Sequence, residues 1–256
     1  MQAWVEAAEA ALAASGAAIR PNFRAGLLAD DKSDESPVTI ADRGAEEILR
    51  KSLQAAFPDF GIIGEEFPAY RPEQKYVWVI DPIDGTRAFI TGRPSFCTLL
   101  GLLEDGVPVL GLIDQPVTRE RWCGGRGGIG WFKGEYGRFG TRQTISLAGA
   151  ELSSTAPEAL PPPYKERFAK LQGATKRIYW GGDAYGYGLL ALGQVDVVAE
   201  TGLKTWDWAA LAPVVQAAGG VITDWQGRPL KLGVTEGDVL ASANPDLHRA
   251  ALAALA

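Results

Sequence analysis

The chain has 256 residues, with 25 Lys and Arg against 31 Asp and Glu and a formal net charge of −6. That length fits one large domain or two lobes sharing a core; the acidic balance argues against a nucleic-acid partner, and no apolar run reaches the roughly 20 residues of a membrane span. One His and two Cys leave out a Ser-His-Asp triad, a Cys-His pair, a His-rich zinc site and a disulfide framework, so catalysis must come from carboxylates, hydroxyls, backbone amides and a hard metal ion.

MQAWVEAAEAALAASG carries Trp4, Ala8, Ala11, Leu12 and Ser15 at helical spacing and predicts a surface helix, with Glu6 and Glu9 where a signal peptide would carry Lys or Arg. The polar, turn-rich RPNFRAGLLADDKSDESP reads as a mobile segment. TIADRGAEEILRKSLQAAF predicts a helix with Ala41, Ala45, Ile48, Leu49 and Ala56 on one face. GIIGEE and YVWVIDP read as strands ending in acids, and FCTLLGLLEDGVPVLGLIDQPV as a hairpin turning near Asp105 and Gly106. RERWCGG and GIGWFKGEYGRF add short strands, so the first half is expected to be a largely antiparallel sheet flanked by helices.

A boundary is expected near residues 135–155, dividing an α+β lobe at 1–145 from an α/β lobe at 146–256. In the second, KRIYWGG and VDVVAE read as strands and DAYGYGLLALG as a helix. WDWAALAPVVQAAGG predicts a helix closed by a glycine pair, with Pro213 kinking it or delaying its regular start. VITDW, VLASA and a last helix with Pro at its first turn complete the pattern. His248 in that helix reads as a solvated or capping residue, and Cys97 and Cys123 as reduced core thiols suited to the cytoplasm.

Acids end several apolar elements: Asp42 in VTIAD, Glu65 and Glu66 in IIGEE, Asp81 and Asp84 in DPIDGT, and Asp207 in TWDWAA. Singly, each reads as an N-cap or a solvated acid. Gathered about 5 Å apart, they would repel by roughly 3 kcal/mol per pair at an effective dielectric of about 20. They can converge only if protonated or bound to cations, and all-oxygen ligation points to Mg²⁺, with Mn²⁺ as a substitute. After Asp84, GTRAFI opens a short helix whose first amides, at Gly85 and Thr86, would face an anion. Cations beside an anion-binding turn suit a phosphate ester.

DPIDGT, preceded by GEE and followed far downstream by WDWAA, resembles the inositol monophosphatase-type family of metal-dependent phosphatases. Within it, SPVTIADR, GTRAFITGRP, GLIDQPVTRERW and VVAETGLKTWDWAALAPV are most similar to the histidinol-phosphate phosphatase branch. The resemblance implies the layered αβαβα sandwich shared with fructose bisphosphatases, a homodimer, two or three Mg²⁺ ions per site, and inhibition by Li⁺ or excess Ca²⁺. It implies a first Mg²⁺ on Glu65, Asp81 and the Ile83 carbonyl, a second on Asp81, Asp84 and Asp207, and a third, weaker ion near Glu65. Asp42 and Thr86 would orient the attacking water, and Asp84, Gly85 and Thr86 would meet the phosphate. Asp183, Glu200 and Asp207 would contact the alcohol portion, and Lys32 would lie near the first metals.

The reaction so implied is hydrolysis of a small-molecule phosphate monoester by an activated water attacking phosphorus in line, with L-histidinol phosphate the expected substrate. Its ammonium and imidazole would call for acids at Asp183 and Glu200 and flat surfaces at Tyr185 or Tyr187, although Asp183 reads equally as a helix cap and the tyrosines as core. The alternatives are an inositol-1-phosphate phosphatase of broad range and a metal- and phosphate-binding regulator without turnover. Three decoys fall away. GGRGGIG is followed by a strand pattern rather than the helix of a dinucleotide-binding turn. IDGT lacks the acids two apart of haloacid-dehalogenase-type phosphatases, and neither Cys has an Arg six residues on.

Overall fold

The computed structural model describes residues 1–26, 30–31, 37–144 and 146–256, with backbone alone at 30, 31, 37 and 38. Lys32 and much of the segment expected to be mobile lie outside the described residues. In chain order the first half holds α1 (Gln2–Ile19), β1 (Asp30–Asp31), β2 (Pro37–Val38), α2 (Ile40–Ala56), β3 (Gly61–Gly64), β4 (Tyr76–Asp84) and α3 (Thr86–Ile90). It continues with β5 (Cys97–Glu104), β6 (Val107–Gln115), β7 (Glu120–Gly125) and β8 (Ile129–Lys133). The second half holds β9 (Glu151–Ser154), α4 (Pro162–Ala174), β10 (Arg177–Trp180), α5 (Asp183–Leu190), β11 (Val197–Glu200), α6 (Thr205–Trp208) and α7 (Leu211–Ala217). β12 (Val221–Asp224), β13 (Val239–Ser242) and α8 (Pro245–Leu255) close it.

Strands β3 to β8 form one sheet in sequence order, antiparallel except for the parallel β3–β4 pair. The other large sheet runs β10-β9-β11-β13-β12. Side chains of β4 alternate between two cores: Trp78 and Ile80 pack with Val5, Leu12, Leu49 and Leu53 of α1 and α2, while Val77 and Val79 face α5, α6 and α7. Those helices are covered in turn by Val198, Val239 and Ala241 of the second sheet. On that sheet's outer face, Leu152, Val197 and Leu240 pack against Phe168, Leu171, Leu247 and Ala251 of α4 and α8. The result is the expected αβαβα sandwich. Burial on both faces is why the central strands read as apolar runs rather than alternating ones.

The structure departs from the sequence expectation at identifiable points. The buried stripe of α2 is Ala41, Asp42, Ala45, Glu46, Leu49 and Leu53, with Ala56 exposed and Ile48 half-buried. β4 does not stop at Asp81 but continues to Asp84 across an irregularity in its pairing with β5, which accommodates Pro82. Pro213 has no N–H for the Ala209 carbonyl, and the helix divides there into α6 and α7, while Ala209 and Ala210 keep helical dihedral angles. β9 and α4 had no counterpart in the sequence reading. His248 neither caps nor meets solvent: it is buried between the Thr223 hydroxyl (2.9 Å) and the Ser242 hydroxyl (3.1 Å), and burial lowers its pKa to about 4.

Candidate active site

The irregular end of β4 builds the centre of the site. Asp81, nearly fully buried, accepts the Ile83 amide at 3.0 Å, and the Thr98 hydroxyl donates to the Pro82 carbonyl at 2.8 Å, so the Asp-Pro-Ile-Asp turn is held from both sides. Gly85 follows with φ of 78°, a left-handed conformation suited to glycine, and a Cβ there would stand 3.1 Å from the Asp183 carboxyl group. Thr86 opens α3, as expected, and its hydroxyl donates to the Ile83 carbonyl at 3.1 Å.

Asp42 arrives from α2. Thr39 and Asp42 form a capping box: Asp42 accepts the Thr39 amide at 2.9 Å and the Thr39 hydroxyl at 2.5 Å, and its other oxygen lies 3.5 Å from the Thr86 hydroxyl. Asp42 is therefore fully buried and connects with the cavity through Thr86. One turn along α2, buried Glu46 accepts the amides of Glu66 (2.7 Å) and Phe67 (3.3 Å), seating the loop that carries Glu65. Glu65 itself is anchored by its amide to the Ile80 carbonyl at 3.2 Å.

Asp207 comes from the second half, in the first turn of α6, where it accepts the Lys204 amide at 2.6 Å. Asp84 accepts the Ala184 amide at 2.6 Å, tying β4 to the start of α5. Asp81, Asp84 and Asp207 bring a carboxylate oxygen each within 4.8 Å of one another. Burial, followed by the charges of neighbouring acids, pushes the pKa of Asp81 and Asp84 well above the carboxylate range. Burial raises Asp207 to about 7 and also raises Asp42, Asp183 and Glu200. The acids thus repel in the absence of a cation, and the donors are all hard oxygens, which fits Mg²⁺.

A cavity of about 200 Å³ opens over this cluster. Glu65, Asp81, Ile83, Asp84, Gly85, Thr86, Asp183, Glu200 and Asp207 line it, together with Ser154, Thr155, Ala156, Ala159, Leu160, Thr201 and Leu203. Asp183 does not cap α5, whose cap is Gly182; it holds φ of 44° and turns its carboxyl group into the cavity. Glu200 is buried, accepting hydrogen bonds from the Thr155 hydroxyl and from the Tyr187 hydroxyl at 3.0 Å. The expected flat surfaces are not there: Tyr187 is core, Tyr185 donates to Glu120 at 2.7 Å and packs edge-on to Trp122, and no aromatic residue lines the cavity among the described residues. Sequence reasoning missed Thr155 and Glu46. Glu46 was open to it, lying four residues after Asp42 on the same buried face.

Carboxylates clustered without His or Cys, beside a short helix that starts at a glycine turn, define the site of a metal-dependent phosphate-ester enzyme. The model of the inositol monophosphatase family matches residues 1–256, and the chain belongs to that family, whose members are metal-dependent phosphatases. It is 42% identical to the bifunctional phosphatase IMPL2, chloroplastic, of Arabidopsis thaliana, over 94% of this chain and 72% of that protein. It is 35% identical to the histidinol-phosphatase of Chlorobaculum parvum, over 91% of this chain and 88% of that one. An inositol monophosphatase structure from Zymomonas mobilis superposes with a TM-score of 0.89 at 45% identity, covering 98% of this chain and 96% of its own.

Proposed function

We propose that this phosphatase is a Mg²⁺-dependent histidinol-phosphate phosphatase of histidine biosynthesis. The observation that carries the reading is the pair of acids, half-buried Asp183 and buried Glu200, on the cavity wall in addition to the three-carboxylate cluster. A neutral polyol needs no such charge, whereas the ammonium of histidinol phosphate does; a desolvated charged hydrogen bond contributes about 1.5–3 kcal/mol. The similarity to histidinol-phosphatases supports the same choice.

In this reading Glu65, Asp81, the Ile83 carbonyl, Asp84 and Asp207 hold two Mg²⁺ ions, with a third, weaker one near Glu65. Bound Mg²⁺ would neutralise charge on the phosphoryl oxygens, lower the pKa of water and stabilise the leaving alkoxide. Thr86, its oxygen 3.1 Å from the Ile83 carbonyl and 3.5 Å from Asp42, turns its one hydroxyl proton from that carbonyl to Asp42 as it accepts from the attacking water, so that it orients the water and Asp42 takes up the relayed proton. The Gly85 and Thr86 amides stabilise charge on the phosphoryl group. Glu200, fixed by Thr155 and Tyr187, presents a pre-oriented carboxylate to the alcohol portion. The protein acts as a homodimer in the cytoplasm, a setting that its two buried free thiols favour.

A panel of phosphate monoesters tests this. kcat/KM for histidinol phosphate should exceed that for inositol 1-phosphate by at least about tenfold, the equivalent of one such charged contact. Equal or better hydrolysis of inositol 1-phosphate transfers the assignment to an inositol-1-phosphate phosphatase, the reading favoured by the named likeness of the Zymomonas mobilis structure.

A further inference from the structure

Four glycines stand opposite one another on four successive strands: Gly101 pairs with Gly111, Gly111 with Gly124 and Gly124 with Gly130, on β5 to β8. Glycine inside a strand weakens it and marks close approach of another backbone. That backbone is α6–α7. A Cβ at Gly101 would lie 2.9 Å from the Ala209 carbonyl carbon, at Gly111 1.9 Å from the Ala210 carbonyl oxygen, and at Gly124 2.2 Å from the Pro213 carbonyl oxygen. At Gly130 it would meet the Phe139 ring at 2.8 Å and the Ala217 side chain at 3.2 Å. The contacts advance from residue 209 to 217 as the row advances from β5 to β8. The helical run therefore lies along the row on bare backbone, its N-terminal end over β5.

That end carries Asp207, two residues before Ala209, and β5 borders β4 with Cys97 opposite Asp84. How deep the run sits on β5 and β6 thus sets how far the Asp207 carboxylate reaches toward Asp81 and Asp84. We infer that Gly101 and Gly111 are positioning residues for the metal cluster: their missing side chains let the start of the α6–α7 run sink onto the sheet and hold Asp207 at ligating distance from the two β4 acids. This rests on the reading of Asp207 as a metal ligand. Gly124 and Gly130 seat the far end and serve packing.

Isothermal titration of the metal-free protein with Mg²⁺ tests the inference through Gly101→Ala, Gly130→Ala, Asp207→Asn and the double variant Gly101→Ala/Asp207→Asn. Gly101→Ala should weaken Mg²⁺ binding about fivefold or more, and Gly130→Ala less than about twofold even where both lower the melting temperature equally. With Asp207 already replaced, Gly101→Ala should add less than about a twofold loss, because positioning acts through that carboxylate. Should Gly101→Ala fail to fold, Ala209→Gly loosens the same contact by removing a methyl and carries the same expectation. Parent-like Mg²⁺ binding in Gly101→Ala, or an equal loss with Asp207 present and absent, overturns the positioning role while leaving the ligand reading intact. Unchanged Mg²⁺ binding in Asp207→Asn overturns the ligand reading, and the positioning role falls with it.

Discussion

Asp84 is held by the Ala184 amide and surrounded by the charges of Asp183, Asp207 and Glu200, so its ionised form is stabilised by one hydrogen bond and opposed by several acids. Asp84→Asn removes a charge that only a cation can balance. It should lower turnover by several orders of magnitude, while the melting temperature of the metal-free protein should hold or rise; near-normal turnover would contradict the assignment. Glu200→Gln keeps the hydrogen-bonding shape beside Thr155 and Tyr187 but loses the charge. It should narrow the preference for histidinol phosphate over inositol 1-phosphate by roughly tenfold, and an unchanged ratio would remove Glu200 from recognition. At this scale the acids were legible because each closes a patterned element and the chain has a single His. Asp183 was legible only as two equal readings, site acid or helix cap, since the positive φ that decides between them leaves no mark in composition. His248 was misread because the partners of the buried imidazole, the Thr223 and Ser242 hydroxyls, sit on two strands, β12 and β13, whose pairing brings them together under α8.

The start of α2 shows how an element aims a functional group. Thr39 satisfies the Ala41 amide at 3.1 Å while holding one Asp42 oxygen, leaving the other toward Thr86. Thr39→Ala should destabilise the fold by about 1 kcal/mol in urea unfolding, as N-cap losses do. It should also reduce kcat with little change in KM, because Asp42 then loses its orientation rather than its contact with substrate. An unaltered kcat would confine Thr39 to capping. Most elements of the two sheets could be read from apolar runs and turn residues, such as the Asp105-Gly106 hairpin with both φ values positive. β9 could not, because its four residues Glu-Leu-Ser-Ser lie inside the sheet with two buried hydroxyls. Nor could α4, which begins in a run of prolines and buries only Phe168 and Leu171.

Across the whole molecule, the two halves meet where acids from β4 and α6 cluster, Asp81 buried and Asp84 and Asp207 half-buried, and their desolvation sets the pH response. An acid whose folded pKa is raised keeps its proton in the folded protein where the unfolded chain, near 3.8, has lost it. The stability that these groups contribute is present at low pH and is lost as pH rises through the folded pKa, about 7 for Asp207. The metal-free protein should therefore melt several degrees lower at pH 7.5 than at pH 5, at roughly 2–4 °C per kcal/mol for a chain of this size. Mg²⁺ should stabilise it more at pH 7.5 than at pH 5; a metal-free melting temperature rising over that interval would contradict the shared cause. The same clustered charge makes the cation indispensable to turnover. Phosphate release from histidinol phosphate, followed before exhaustive chelation, after it and on return of Mg²⁺, is the most direct measurement of that claim. Activity should vanish with the metal and return with it, and full activity in the chelated protein would contradict the account.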